Sequence, residues 1–177
     1  MKDFQLRDME KADLPLVWQW RNAKHIRKHM YNNQIIPWQD HLAWFEKEQS
    51  NPSSVSKIFI HQDRPLGVVR FTDIDQENET CKWGFYIGDK DAPKGSGTIM
   101  GILALDFIFG TFPIRKVCAE VLDTNQVSLR YHEKLGFKQE GCLLQQLKRE
   151  KLLIDVIPMG LFMDQWIKHR EILAGRL

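Results

Sequence analysis

Apolar positions in this chain change period as it is followed from one end, and the period predicts the elements. Residues 3–8 alternate as a short first strand. Asp13-Leu14-Pro15 opens a helix, because Asp caps and Pro suits a first turn. Leu16, Val17, Trp20 and Ala23 give that helix an inward face. A second helix begins near Pro37, carries Leu42, Trp44 and Phe45, and breaks at Asn51-Pro52-Ser53-Ser54. Residues 55–61 and 66–71 read as a hairpin through Gln62-Asp63-Arg64-Pro65. A third strand at 80–88 alternates Cys81, Trp83, Phe85 and Ile87 with Lys82, Gly84, Tyr86 and Gly88.

The apolar segment 99–109 reads as a buried helix, and 117–122 as another strand. Residues 125–135 have helical spacing, with Val127, Tyr131 and Leu135 on one face and Gly136 as the stop. Residues 137–147 and 152–162 pair as a closing hairpin, and a last helix covers 163–173. Strand, helix and strand in the middle imply a local parallel crossover. The order predicts an α/β sandwich, and no linker or repeat divides it, so residues 1–177 read as one domain.

Composition adds bounds. With 43% hydrophobic and 27% charged residues the chain is globular in kind. A net charge of +2 is too small to argue for nucleic acid and suits an anionic small ligand. No apolar run is long enough to span a bilayer, and the start lacks a signal-peptide stretch. Cys81, Cys118 and Cys142 stand far apart with no C-x-x-C pair. They read as buried thiols of a cytoplasmic protein, without disulfides or a metal. His25, His29, His61, His132 and His169 have no metal-ligand spacing and read as solvated.

Between the third strand and the buried helix lies Ala92-Pro93-Lys94-Gly95-Ser96-Gly97-Thr98. Glycines there let backbone amides approach a ligand, and a helix start favours an anion such as pyrophosphate. Lys94 adds charge. The sequence is neither a P-loop nor a G-x-G-x-x-G turn, since position 100 is Met. A tight turn without a ligand explains it equally well by itself.

A second segment decides between these readings. Residues 124–137, Thr-Asn-Gln-Val-Ser-Leu-Arg-Tyr-His-Glu-Lys-Leu-Gly-Phe, resemble the N-x-x-[AS]-x-x-x-Y-E-K-x-G-F end of GNAT superfamily N-acetyltransferases, with His132 inserted between Tyr and Glu. The 92–97 turn resembles that superfamily's acetyl-CoA loop, Q/R-x-x-G-x-G/A, except that Ala92 stands in the first position. Trp20-Arg21-Asn22, Met30, His41-Leu42, Trp44-Phe45, Gly67-Val68-Val69 and Gly84-Phe85-Tyr86 are similar to the N-acetyltransferases of pseudaminic acid biosynthesis. The likeness covers roughly residues 5–165.

The resemblance implies a GNAT fold, a mixed central sheet flanked by helices, with strands 80–88 and 115–122 splayed around acetyl-CoA. Phe85, Tyr86 and Ile87 would then hold the thioester through backbone amides, with Gly84 and Gly88 permitting a bulge. Lys94, Gly95, Ser96, Gly97, Thr98 and Asn125 would hold the rest of the cosubstrate, with Asn125 equally readable as a helix cap. Tyr131 is the candidate acid for the thiolate, and Glu120 the candidate base. His41 is its rival. The implied acceptor is the 4-amino group of UDP-4-amino-4,6-dideoxy-N-acetyl-β-L-altrosamine, with Arg21, His41, Thr72 and Tyr86 as contacts and Asp73 a weaker one. Trp18, Trp20, Trp38 and Trp44 read as core. A ribosomal-protein N-terminus, an aminoglycoside, or a non-catalytic acyl-CoA-binding role stay open, and a homodimer is allowed for.

Overall fold

The computed structural model describes residues 3–175. One eight-stranded sheet runs through it. Its strands are β1 (Phe4–Asp8), β2 (Val55–His61), β3 (Arg64–Asp75), β4 (Thr80–Ile87), β5 (Lys116–Leu122), β6 (Lys138–Gln139), β7 (Leu143–Arg149) and β8 (Leu152–Phe162). The order is β1-β2-β3-β4-β5-β8-β6, with β7 also on β8. All neighbours are antiparallel except β4 and β5, which the crossover helix makes parallel.

Six helices cover the two faces: α1 (Leu14–Asn22), α2 (Lys24–Arg27), α3 (Trp38–Gln49), α4 (Ser96–Thr111), α5 (Gln126–Lys134) and α6 (Met163–Ala174). Strand alternation sends side chains to opposite layers. Phe59 packs with α4, while its neighbours Ile58 and Ile60 pack with α1, Ile26 and Phe45. The larger core collects Ile99, Ile102, Leu105 and Ile108 of α4 with Leu129, Leu135 and Trp166. This helix is apolar nearly all round because it is covered nearly all round. Its one charged residue, Asp106, accepts from Trp166 Nε1 at 3.0 Å and Arg170 Nε at 2.7 Å, which ties α6 to α4.

Several local expectations need correction. A short helix, α2, occupies 24–27, where no periodicity announced one. Asp13 does not cap α1; it closes a short 3-10 turn, accepts from Glu10 N–H at 2.8 Å and pairs with Arg7 at 2.6 Å. The 137–147 segment is not one strand. It breaks at Glu140–Cys142 into β6 and β7, opposite a stretch of β8 where Pro158 has no N–H to donate. Val127 is 81% exposed, because the first turn of α5 projects into solvent, and Leu129 and His132 take the buried face. Cys81 is buried as expected, but Cys118 is half-buried and Cys142 exposed on the β6–β7 break. His132 is 3% exposed, so the solvated reading fails there.

Candidate active site

The pairing of β4 with β5 covers Thr80–Lys82 against Lys116–Cys118 and then stops. From Trp83 onward β4 stays on β3, in register through Ile87, while β5 continues on β8. The two strands therefore part company and leave backbone groups of Gly84–Ile87 without a neighbour on that side. No bulge occurs at Gly84 or Gly88; the irregularity in β3–β4 lies at Thr72–Asp75. Gly88 serves a different end, since a Cβ there would strike the Trp20 ring.

The first turn of α4 opens beside this gap. Gly95 takes φ 92°, a left-handed value that glycine tolerates, and acts as the N-cap without a side-chain bond. The free amides of a first turn, with the helix dipole, favour an anion. Ser96 and Thr98 are buried; Ser96 Oγ donates to the Pro93 carbonyl at 2.6 Å. Lys94 is exposed. A second cation, absent from the motif reading, is bonded to the turn: Lys134 of α5 donates to Thr98 Oγ1 at 2.7 Å. Its only sequence signal was the Glu-Lys pair of the 124–137 segment.

Helix α5 fixes the adjacent chemistry. Asn125 is its cap, accepting from Ser128 N–H at 3.2 Å. The helix is uninterrupted from Gln126 to Lys134, so no residue is inserted. Counted from Asn125, Glu133-Lys134 and Gly136-Phe137 fall where the motif has them. His132 therefore stands at the motif's Tyr position, and Tyr131 one place earlier, about 100° round the helix. The consequence is geometric. Tyr131 turns to α4, donating to the Gly97 carbonyl at 2.6 Å and stacking obliquely on Phe85, with ring centroids 4.8 Å apart. Gly101 makes room for its hydroxyl; a Cβ there would collide with it. Burial pushes the Tyr131 phenol far above the ordinary tyrosine range.

His132 turns instead into an aromatic nest of Trp83, Phe85 and Phe137, with centroids 5.0–5.6 Å away. Its Nδ1–H donates to the Ser128 carbonyl at 2.8 Å. Burial lowers its pKa to about 4, so the ring is neutral near pH 7 and Nε2 carries no proton.

On the opposite sheet face a pocket of about 370 Å³ lies between α1, α3, β3 and β4. Arg21, His41, Trp44, Arg70, Gly84 and Tyr86 are among its walls, and Met30 and Ile36 close it from the α2–α3 loop. Thr72 and Asp73 are not part of it; Asp73 pairs with Lys82 at 3.1 Å. None of the described lining residues is acidic. Arg70 is neutralised by buried Glu48, which also accepts from Ser56 Oγ at 2.8 Å. Arg21 is not neutralised. Its Nη2 donates to the Asn32 carbonyl at 2.8 Å, while Nη1 is buried without a partner. His41, 3% exposed, leaves Nε2 buried and unpaired, and burial lowers its pKa. Trp44, half-buried and packed against the second core as expected, also stacks on His41 at the pocket wall, with centroids 5.2 Å apart.

Glu120 of β5 is exposed, on the strand face opposite the buried Ala119 and Val121. Burial and the neighbouring Glu120 carboxylate push the Tyr31 phenol up to about 12. The α2–α3 loop thus reaches the parted end of β5. Among the described residues no group of three or more His, Cys, Asp or Glu is arranged to hold a metal.

A parted strand pair facing a helix start is what an acyl-CoA donor requires, and residues 3–138 match the family model of the acetyltransferase (GNAT) domain. The chain belongs to the GNAT acetyltransferases. As a GNAT enzyme it is an N-acetyltransferase that uses acetyl-CoA. It is 29% identical over 169 residues to a prophage-derived uncharacterized N-acetyltransferase of Bacillus subtilis (strain 168), covering 94% of this chain and 82% of that one. It is 22% identical to the spermidine N(1)-acetyltransferase of Escherichia coli (strain K12), covering 94% and 90%. In structure it is similar to the spermidine N-acetyltransferase from Vibrio cholerae in complex with CoA and spermine. That match has TM-score 0.88 and 18% identity, covering 94% of this chain and 99% of the other. These matches support the GNAT fold, with its mixed sheet flanked by helices.

Proposed function

We propose that this GNAT enzyme acetylates an amine carried by an anionic, ring-containing small molecule, of which a UDP-linked 4-amino-deoxy sugar is the candidate. The observation that carries this is Arg21, whose Nη1 is buried, unpaired and directed at no carboxylate in a pocket walled by aromatic rings. An unmatched buried cation is costly until an anion or strong acceptor reaches it. A phosphate oxygen supplies that acceptor. A polyamine would bring further positive charge to the same wall. The polar atom His41 Nε2, also unpaired, suits a hydroxyl or N–H of the acceptor.

In this reading the cosubstrate's phosphates meet the amides of Gly95–Thr98, and the thioester lies along the unpaired edge at Phe85, Tyr86 and Ile87. Acetyl transfer forms the C–N bond as the C–S bond breaks. The amine loses one proton and the thiolate gains one. Glu120, on the acceptor side of the gap, takes the first. Tyr131 gives the second: its hydroxyl lies at the first turn of α4, where it donates to the Gly97 carbonyl, and giving up that bond frees its proton for the thiolate.

The test follows thiol release from acetyl-CoA with a UDP-4-amino-4,6-dideoxy sugar, with spermidine and with N-terminal peptides. Turnover of the sugar nucleotide with micromolar to millimolar KM is expected. Turnover of spermidine or peptides alone overturns the proposed acceptor.

A further inference from the structure

The wall of the acceptor pocket formed by Met30 and Ile36 belongs to a loop with no regular structure, residues 28–37 between α2 and α3. Such a loop has a defined position only if its backbone groups are held. Most of its anchors are local. Trp18 Nε1 and Asn22 Nδ2 both donate to the Ile36 carbonyl, at 2.7 and 3.0 Å, and Asn22 Oδ1 accepts from Ile36 N–H at 2.8 Å. Arg27 donates to the Asn33 carbonyl at 2.7 Å. These hold the far half of the loop.

In the near half the N–H groups of Lys28, His29 and Met30 are held locally, by the carbonyls of Lys24, Ile26 and Arg27, while its carbonyls are held from elsewhere in the chain. Arg149 stands at the end of β7, beside the hairpin turn into β8, more than a hundred residues away. One of its terminal nitrogens donates to the Lys28 carbonyl at 2.5 Å. The other donates to the carbonyl of Met30 and, at 3.4 Å, to that of Tyr31. The guanidinium's fixed fork engages three carbonyls that flank the Met30 side chain from two nitrogens, a spread that the single nitrogen of an ammonium does not have. Through Tyr31 the same stretch of loop reaches Glu120.

We infer that Arg149 is a positioning residue for the acceptor pocket: by fixing the Lys28, Met30 and Tyr31 carbonyls it sets Met30 against the acceptor and couples the β7–β8 hairpin to acceptor binding. Arg149 touches neither substrate. The inference rests on reading this pocket as the acceptor site, and not on which amine enters it.

The test compares the wild type with Arg149→Met and Arg149→Lys in two measurements. In hydrogen exchange on the full chain, the Met variant should exchange faster at residues 28–33 and not in β3–β5. In steady-state kinetics with the UDP-4-amino sugar, KM for the acceptor should rise about tenfold while KM for acetyl-CoA is unchanged. The Lys variant should recover part of the loss. Should the wild type turn over spermidine and not the sugar nucleotide, the proposed acceptor falls and the same comparison runs with spermidine. Unchanged exchange at 28–33, or equal rises in both KM values with faster exchange across the sheet, would overturn the role of Arg149.

Discussion

Lys134 donates a 2.7 Å hydrogen bond to the hydroxyl of Thr98 and so holds an ammonium at the first turn of α4. A cation there opposes the helix dipole, and Lys134 has no carboxylate partner among the described residues. An anion between the two relieves both charges. Ala92 carries no charge at the loop position where the resembled motif has Gln or Arg, and Lys134 places a cation beside the same turn from another helix. Lys134→Met should raise KM for acetyl-CoA about tenfold, equivalent to roughly 1.4 kcal/mol, with kcat little changed. With S-acetylpantetheine, which has no diphosphate, the variant should match the wild type. An equal loss with both donors would mean that Lys134 only staples α5 to α4.

Tyr131 and His132 differ by one position, and each donates its one proton to a backbone carbonyl, Gly97 for the first and Ser128 for the second. Tyr131→Phe should lower kcat about 10²-fold or more while the coenzyme A Kd stays the same. Calorimetric titration with coenzyme A and single-turnover kinetics measure the two quantities separately. Unimpaired kcat in this variant removes Tyr131 from the chemistry.

Glu120→Gln tests the base. Near neutral pH the variant should be slower by about 10²-fold in kcat/KM for the acceptor. The deficit should shrink as pH rises, because solvent base then takes the proton that the attacking amine sheds. A deficit that is constant from pH 7 to 10 would assign Glu120 a binding role only.

His132 makes the fold sensitive to acid. Its pKa is about 4 folded against 6.5 for the free side chain. Between those values the unfolded chain binds more protons, so stability is full above pH 6.5 and is lost as pH falls toward 4. The loss by pH 4 is roughly 3 kcal/mol, at about 1.4 kcal/mol per unit. Urea denaturation at pH 7.0 and 4.5 should show this slope, and His132→Gln should flatten its share of it. Identical slopes in the two proteins would refute the assignment.

The Gly95 turn before α4 and the Asn125 cap of α5 were legible in the sequence because they are built locally. A glycine with positive φ before an apolar helix, and Asn125 three residues before Ser128, are short-range features whose geometry the chain dictates. The crossover order β4-α4-β5 follows from the same local logic, since parallel strands need a connecting helix. Count and helical period were also in the sequence, yet His132 read as an insertion until α5 proved continuous.

The pocket on the α1–α3 face was decided by tertiary contacts. Nothing near Arg149 in the sequence points to Met30, and nothing near Lys134 points to Thr98; sheet order and helix packing bring each pair together. Whether Arg21 is neutralised, whether His41 is buried and which way Tyr131 and His132 face depend on burial and on partners distant in the chain. The sequence by itself determined most of the elements and the Gly95 turn before α4, because those rest on backbone propensity over a few residues, but not α2 or the break between β6 and β7. The tertiary structure alone determined which charges remain unpaired, and that sets what the pocket can accept.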